Sequence, residues 1–174
     1  DGIGVVDVVD LLSEEQIDFT VKALYEKGSN VNRRYSSSAY GNLDLYQINC
    51  TYFSAVGEDE DAYLAARAVQ FFAPGIPQVY YVGLLAGAND IDLVERTRQG
   101  RDINRRGYSI EEAEAELQRP VVKRLLRLME FRNSHPAFEA NEVRINDERD
   151  GQILRIRRTT NDHVAELNVD FSNR

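Results

Sequence analysis

Asp1 is followed at once by Gly2-Ile3-Gly4. That order suits a carboxylate held at a sharp exit from a strand, because Gly lets the backbone turn tightly. The loop Asp44-Leu45-Tyr46-Gln47 sets an acceptor, a phenol and an amide between apolar residues that can anchor it. In Gly100-Arg101-Asp102 a guanidinium offers planar, bidentate donors to vicinal hydroxyls or to carboxylates, and it stays charged at every relevant pH. Residues 84–90 (LLAGAND) follow an apolar run, and their Ala and Gly residues permit close approach. Each segment also has a plainer reading. Asp1-Gly2 reads as a turn, Leu43 to Tyr46 as an edge strand, Asp102, Arg105 and Arg106 beside Arg101 as a surface charge network and 84–90 as a turn.

The elements around these segments decide where they stand. Ser13-Glu14-Glu15-Gln16 has the capping-box form and predicts a helix from Glu14 to about Lys27, closed by Gly28-Ser29-Asn30. Residues 29–42 read as a loop. Between Asp59 and Phe72, Tyr63, Ala66, Val69 and Phe72 recur on one helical face, and Pro74-Gly75 stops the helix. The apolar run Ile76 to Val82 predicts a strand buried on both sides. Residues 83–107 form a long connection with room for a short helix over 90–98, and long connections in compact domains are often functional. Another helix follows over 109–117. Pro120 then opens an amphipathic helix with Val122, Leu125, Leu126 and Met129 on one side. From Ala137 the texture changes. Val143 to Ile145, Ile153 to Arg157 and Val164 to Val169 are strand-like segments separated by Asn/Asp/Gly turns, the pattern of an antiparallel β domain. The order predicts an α/β chain: residues 1–137 as the C-terminal portion of a (β/α)8 barrel, open at one side with apolar surface left uncovered, and 138–174 as the start of a small antiparallel β domain. Reactive groups of such barrels lie at the C-terminal ends of the strands and on the loops that follow.

Composition narrows the functional classes. The chain has 174 residues, 43% apolar and 29% charged, which is ordinary for a globular protein. No window approaches the roughly 18 consecutive apolar residues of a membrane helix. A net charge of −8 argues against nucleic acid or an anionic membrane surface as partner, and any bound phosphate must be held by local cations. One cysteine, Cys50, leaves no intrachain disulfide framework and favours a reducing cytoplasm. Two histidines, His135 and His163, and one cysteine show no metal-ligand spacing, so neither a metal nor a cofactor is expected.

In their order and separations, Asp1-Gly2-Ile3-Gly4 and residues 43–49 (LDLYQIN), 74–83 (PGIPQVYYVG) and 100–105 (GRDINR) resemble the C-terminal part of a sucrose phosphorylase, a retaining member of the α-amylase superfamily. The resemblance is specific over nearly all of 1–137 and loose beyond. It implies that Asp1 is the third catalytic carboxylate, orienting sugar hydroxyls and stabilising an oxocarbenium-like transition state, although the His that usually precedes it is not in the chain. It further implies that Asp44 and Gln47 contact the fructosyl part of sucrose, that Tyr46 helps receive phosphate, and that Arg101 lines the glucose subsite. The family often has His where Arg106 stands, so Arg106 is given no role. The implied activity is reversible glucosyl transfer from sucrose to inorganic phosphate, giving α-D-glucose 1-phosphate and fructose with retention. Retention requires a nucleophilic carboxylate and a general acid/base. The family carries both on earlier barrel strands, and no segment here matches them, so the chain alone is expected to be inactive. The full-length enzyme could pair as a homodimer. Three other readings stay open: a sucrose 6-phosphate or glucosylglycerate phosphorylase, a hydrolase or transglucosylase of the same superfamily, and a non-catalytic β-rich interaction module.

Overall fold

Helix α1 spans Glu14–Glu26, and both halves of its capping box form. The Ser13 hydroxyl accepts from the Gln16 amide N–H and the Gln16 side chain accepts from the Ser13 N–H. At its other end Gly28 takes a φ of 79°, its N–H reaching the Tyr25 carbonyl and that of Ser29 the Leu24 carbonyl. This paired closure requires a left-handed residue, which Gly supplies without strain. A computed structural model of the chain describes residues 2–4, 8, 10–29, 47–139, 142–148, 151–160 and 162–172. These fall into two compact units, one of residues 1–60 with 79–118 and one of 61–78 with 119–174.

In the first unit strand β1, Gly2–Gly4, pairs antiparallel with β2, Gln47–Asn49, in the register Gly2 to Asn49, Ile3 to Ile48 and Gly4 to Gln47. Short helices follow: α2 at Tyr52–Ala55, α4 at Tyr81–Leu84, α5 at Ile91–Thr97 and α6 at Ile110–Glu116, with a 3-10 turn over Gly100–Asn104. The predicted strand over Ile76 to Val82 is not formed. Residues 76–80 make no ladder, Tyr81 opens α4, and Ile76 is 98% exposed. An apolar run signals a preference for burial, but a strand also needs neighbours to pair its N–H and C=O groups. No parallel neighbour exists among the described residues. Ile76, Tyr80 and Tyr81 are left exposed to solvent.

In the second unit helix α3, Glu60–Phe72, buries Tyr63, Leu64, Arg67, Ala68, Phe71 and Phe72. The predicted Ala66 and Val69 stand half-buried at the margin of that face. Helix α7, Pro120–Ser134, buries Val121 and, as expected, Val122 and Leu125, while Met129 is half-buried and Leu126 is 37% exposed. A 3-10 turn over Pro136–Phe138 then leads into a meander of β3, Val143–Glu148, β4, Ile153–Thr160, and β5, His163–Asp170, all antiparallel. Phe72, Ala137, Phe138, Ile156 and Ala165 form the core of this unit. Arg132 of α7 donates from Nε to the Phe71 carbonyl at 2.9 Å and from Nη2 to the Gly75 carbonyl at 3.3 Å, and lies over the Phe138 ring at 4.6 Å. It thereby satisfies carbonyls where α3 runs out, as a cation at a helix C-terminus should. Buried Arg158 of β4 lies on the same ring at 5.7 Å.

Candidate active site

Strand β2 organises the first unit's functional residues. Its pairing with β1 places Gly4, three residues after Asp1, opposite Gln47, the last residue of the 44–47 segment. The 3-10 turn carrying Arg101 packs against β2. Asp1, Asp44 and Tyr46 lie outside the described residues. Gln47 is placed by its backbone, and Arg101 is exposed on the 3-10 turn. Two of the implied site residues therefore stand on elements that touch, and the backbone leading from a third joins the same ladder.

Side-chain amides hold these pieces together. Asn89 Oδ1 accepts from the Thr51 N–H at 2.7 Å, and the Asn89 N–H donates to the Ser54 hydroxyl at 3.0 Å. Asn104 Nδ2 donates to the Cys50 carbonyl at 3.1 Å, in the buried interior. The Asp90 N–H donates to the Ile103 carbonyl at 2.8 Å, while the Asp90 carboxylate caps α5 by accepting from Leu93 N–H. The segment 84–90 is thus a fixed joint. Within it Ala86 adopts a φ of 48°. At Gly87 an added Cβ would lie 2.6 Å from the Tyr108 hydroxyl and 2.8 Å from Val82 Cγ1, so the close approach foreseen there is real.

Around that joint stands an aromatic and cationic group. Tyr81 packs on Tyr80 at 4.6 Å and meets Tyr108 edge-on at 6.3 Å, and its hydroxyl donates to the Arg106 carbonyl at 2.8 Å. The Arg106 guanidinium lies 5.1 Å from the Tyr108 ring centre and pairs with Glu112 at 3.4 Å, so it serves the surface network expected of it. Desolvation first, and then neighbouring Tyr80, push the Tyr81 phenol up. Burial pushes the Cys50 thiol up, opposed in part by the neighbouring Ser29 side chain. A thiol so placed is a packed structural group and no nucleophile at neutral pH. Among the described residues no three His, Cys, Asp or Glu side chains converge as metal ligands, and no helix is long and apolar enough to cross a membrane.

Sequence reasoning missed Asn89, Asn104 and buried Arg67. Asn89 lay inside a segment already singled out, but nothing in its neighbours marked it as a joint. Arg67 sits on the α3 face that periodicity reserves for apolar residues. Its Nε donates to the Tyr63 hydroxyl at 3.0 Å and its Nη1 to the Gln70 side chain at 2.8 Å.

A scan against protein-family models finds no match. Among curated proteins the relatives are phosphorylases, and their similarity runs through both units. Over 98% of its length the chain is 51% identical to the sucrose phosphorylase of Streptococcus mutans serotype c, of which it spans 36%. It is 46% identical over 99% of its length to the sucrose phosphorylase of Agrobacterium vitis, again spanning 36%. The crystal structure of the sucrose 6F-phosphate phosphorylase from Thermoanaerobacter thermosaccharolyticum matches 94% of the chain with a TM-score of 0.83 and 43% identity, and the chain covers 33% of it. The chain is therefore similar to sucrose phosphorylases over nearly all of its own length and spans about a third of theirs. The expected architecture, helical barrel segments followed by an antiparallel β domain, agrees with that relationship.

Proposed function

We propose that this chain is part of an enzyme that transfers a glucosyl unit reversibly, with retention, from sucrose to inorganic phosphate, giving α-D-glucose 1-phosphate and fructose. Residues 1–137 belong to the catalytic barrel in this reading and 138–174 to the β domain that follows. The carrying observation is the convergence of the Gly2–Gly4 strand, the Gln47 strand and the Arg101 turn at one place, in a chain 51% identical to a sucrose phosphorylase. Asp1 would orient sugar hydroxyls and stabilise positive charge developing at the anomeric carbon, hydrogen bonds that strengthen in the transition state of this chemistry. Arg101 would bind glucosyl hydroxyls, Asp44 and Gln47 the fructosyl group, and Tyr46 the incoming phosphate. The nucleophile and the acid/base would come from the part of the relatives' length that this chain does not span, so the chain alone would not turn over. The enzyme would work in a reducing cytoplasm, in keeping with a buried, free Cys50, and could do so as a homodimer.

A sucrose 6-phosphate phosphorylase is the reading to exclude, since a relative of that activity from Thermoanaerobacterium thermosaccharolyticum is 47% identical over 88% of the chain. The test is the initial rate of glucose 1-phosphate formation by the intact enzyme, from sucrose and from sucrose 6-phosphate, with and without phosphate. Phosphate-dependent turnover of plain sucrose, lost in Asp1→Asn, is the expected result. Sugar release that proceeds equally without phosphate would make the protein a hydrolase instead.

A further inference from the structure

A five-residue 3-10 turn does not support itself, because its hydrogen bonds are few and poorly aligned. The turn over Gly100–Asn104 therefore takes its position from outside contacts. Ile103 is buried and its carbonyl accepts from Asp90 N–H, and Asn104, also buried, donates its side-chain amide to the Cys50 carbonyl. Cys50 directly follows β2, and the next residue, Thr51, is held by Asn89. Residues i and i+3 share one edge of a 3-10 turn, so Asn104 anchors the edge that carries Arg101. Ile103 can keep the turn against the core, but apolar contact is non-directional. The amide-to-carbonyl bond is directional and ties the turn's rotation and register to the strand bearing Gln47.

We propose that Asn104 is a positioning residue, setting the Arg101 guanidinium in register with Gln47 through its hydrogen bond to the Cys50 carbonyl. This rests on the function proposed above, in which Arg101 binds the glucosyl group. The bond has one workable polarity, since a carbonyl oxygen accepts only. Asn104→Asp keeps the shape and replaces the donor by a carboxylate that faces the carbonyl lone pairs.

The test uses the intact enzyme and four proteins: wild type, Asn104→Asp, Arg101→Lys and the double variant, each with active-site concentration determined. Displacement of a binding group by about an ångström lowers rate on the order of a hundredfold. Asn104→Asp should lower kcat/KM for sucrose roughly ten- to a hundredfold, chiefly in whichever of kcat or KM Arg101→Lys alters. The double variant should be no worse than Arg101→Lys alone, because sites acting through one interaction are not additive. A merely structural Asn104 would lower thermal stability and leave kcat and KM per active site within about twofold of wild type, or would multiply with Arg101→Lys. Either result overturns the proposal while leaving the assigned activity standing. A silent Arg101→Lys would overturn both the role of Arg101 and this inference. Should Asn104→Asp fail to fold, Asn104→Ala, which removes the donor without adding charge, is scored by the same criteria.

Discussion

Replacing Gly87 by Ala sets two effects against each other. The backbone there is not left-handed, so Ala would ordinarily stabilise by about 0.4–1 kcal/mol, through reduced freedom of the unfolded chain. The new methyl, however, would sit 2.6 Å from the Tyr108 hydroxyl and 2.8 Å from Val82 Cγ1. Tyr108 is half-buried and its hydroxyl is the far end of a long side chain, so it can swing aside. Val82 is 1% exposed and cannot. Overpacking of this kind costs about 1–3 kcal/mol, so the clash wins and Gly87→Ala is expected to destabilise by roughly 1–2 kcal/mol net. Val82→Ala alone also destabilises, by emptying the same space. Combined, the two changes should compensate, Gly87→Ala becoming neutral or stabilising in the Val82→Ala background. Calorimetric scans of the four proteins, read as shifts in Tm under one scan rate, measure this coupling. Additive losses, or a Gly87→Ala protein as stable as wild type, would show that the methyl does not meet Val82 and that the joint is looser than described.

Further outcomes follow from the second unit and from Cys50. Arg132→Ala should destabilise by about 1–3 kcal/mol, chiefly as the part-buried Phe71 carbonyl at the end of α3 loses a charged donor; Arg132→Lys should recover only part, lacking the fork, as thermal denaturation will record. His135 Nδ1 accepts from Ala137 N–H at 3.2 Å and its ring packs on Phe131 at 4.9 Å. His135→Ala should therefore lower stability by about 1 kcal/mol, and His135→Asn, which restores an acceptor, should recover more of it than His135→Val. The Cys50 thiol should resist a disulfide reagent at pH 7–8 until the protein is unfolded; stoichiometric labelling within seconds would refute its burial. Because burial raises that thiol's pKa in the folded state, the unfolded chain releases the proton first as pH rises. Stability should thus fall through the alkaline range from the ordinary thiol pKa upward, and Cys50→Ala should flatten that fall in urea titrations.

Much of this architecture was legible because it is periodic or chemically punctuated. Ser13 with Gln16, Gly28, Pro74-Gly75 and Pro120 marked helix boundaries correctly, and the alternation and turns after Glu142 gave three strands in the right order. The segments singled out around Gly2, Gln47, Asn89 and Arg101 do meet. Two kinds of feature were not legible. Ile76 to Val82 has the composition of a buried strand, but pairing depends on neighbours that local sequence does not encode. Arg158 and Asn104 are polar residues buried with partners far along the chain, and Arg67 is a buried cation satisfied within its own helix; such single contacts leave no periodic trace. On the α3 and α7 stripes only marginal members, Ala66, Val69, Leu126 and Met129, are less buried than expected, since residues at the margin of a helical face are decided by what the face packs against.

The antiparallel pairing of Gly4 with Gln47 has a consequence for how this chain can vary. Residues 5–46, including α1, leave the ladder at one point and return to it at the same point. The free energy of closing such an excursion changes only with the logarithm of its length. Residues could be gained, lost or exchanged between those two anchors with little disturbance to the ladder beneath them. Swapping that whole stretch between relatives of different substrate preference would test whether the contacts proposed for Asp44 and Tyr46 set acceptor choice.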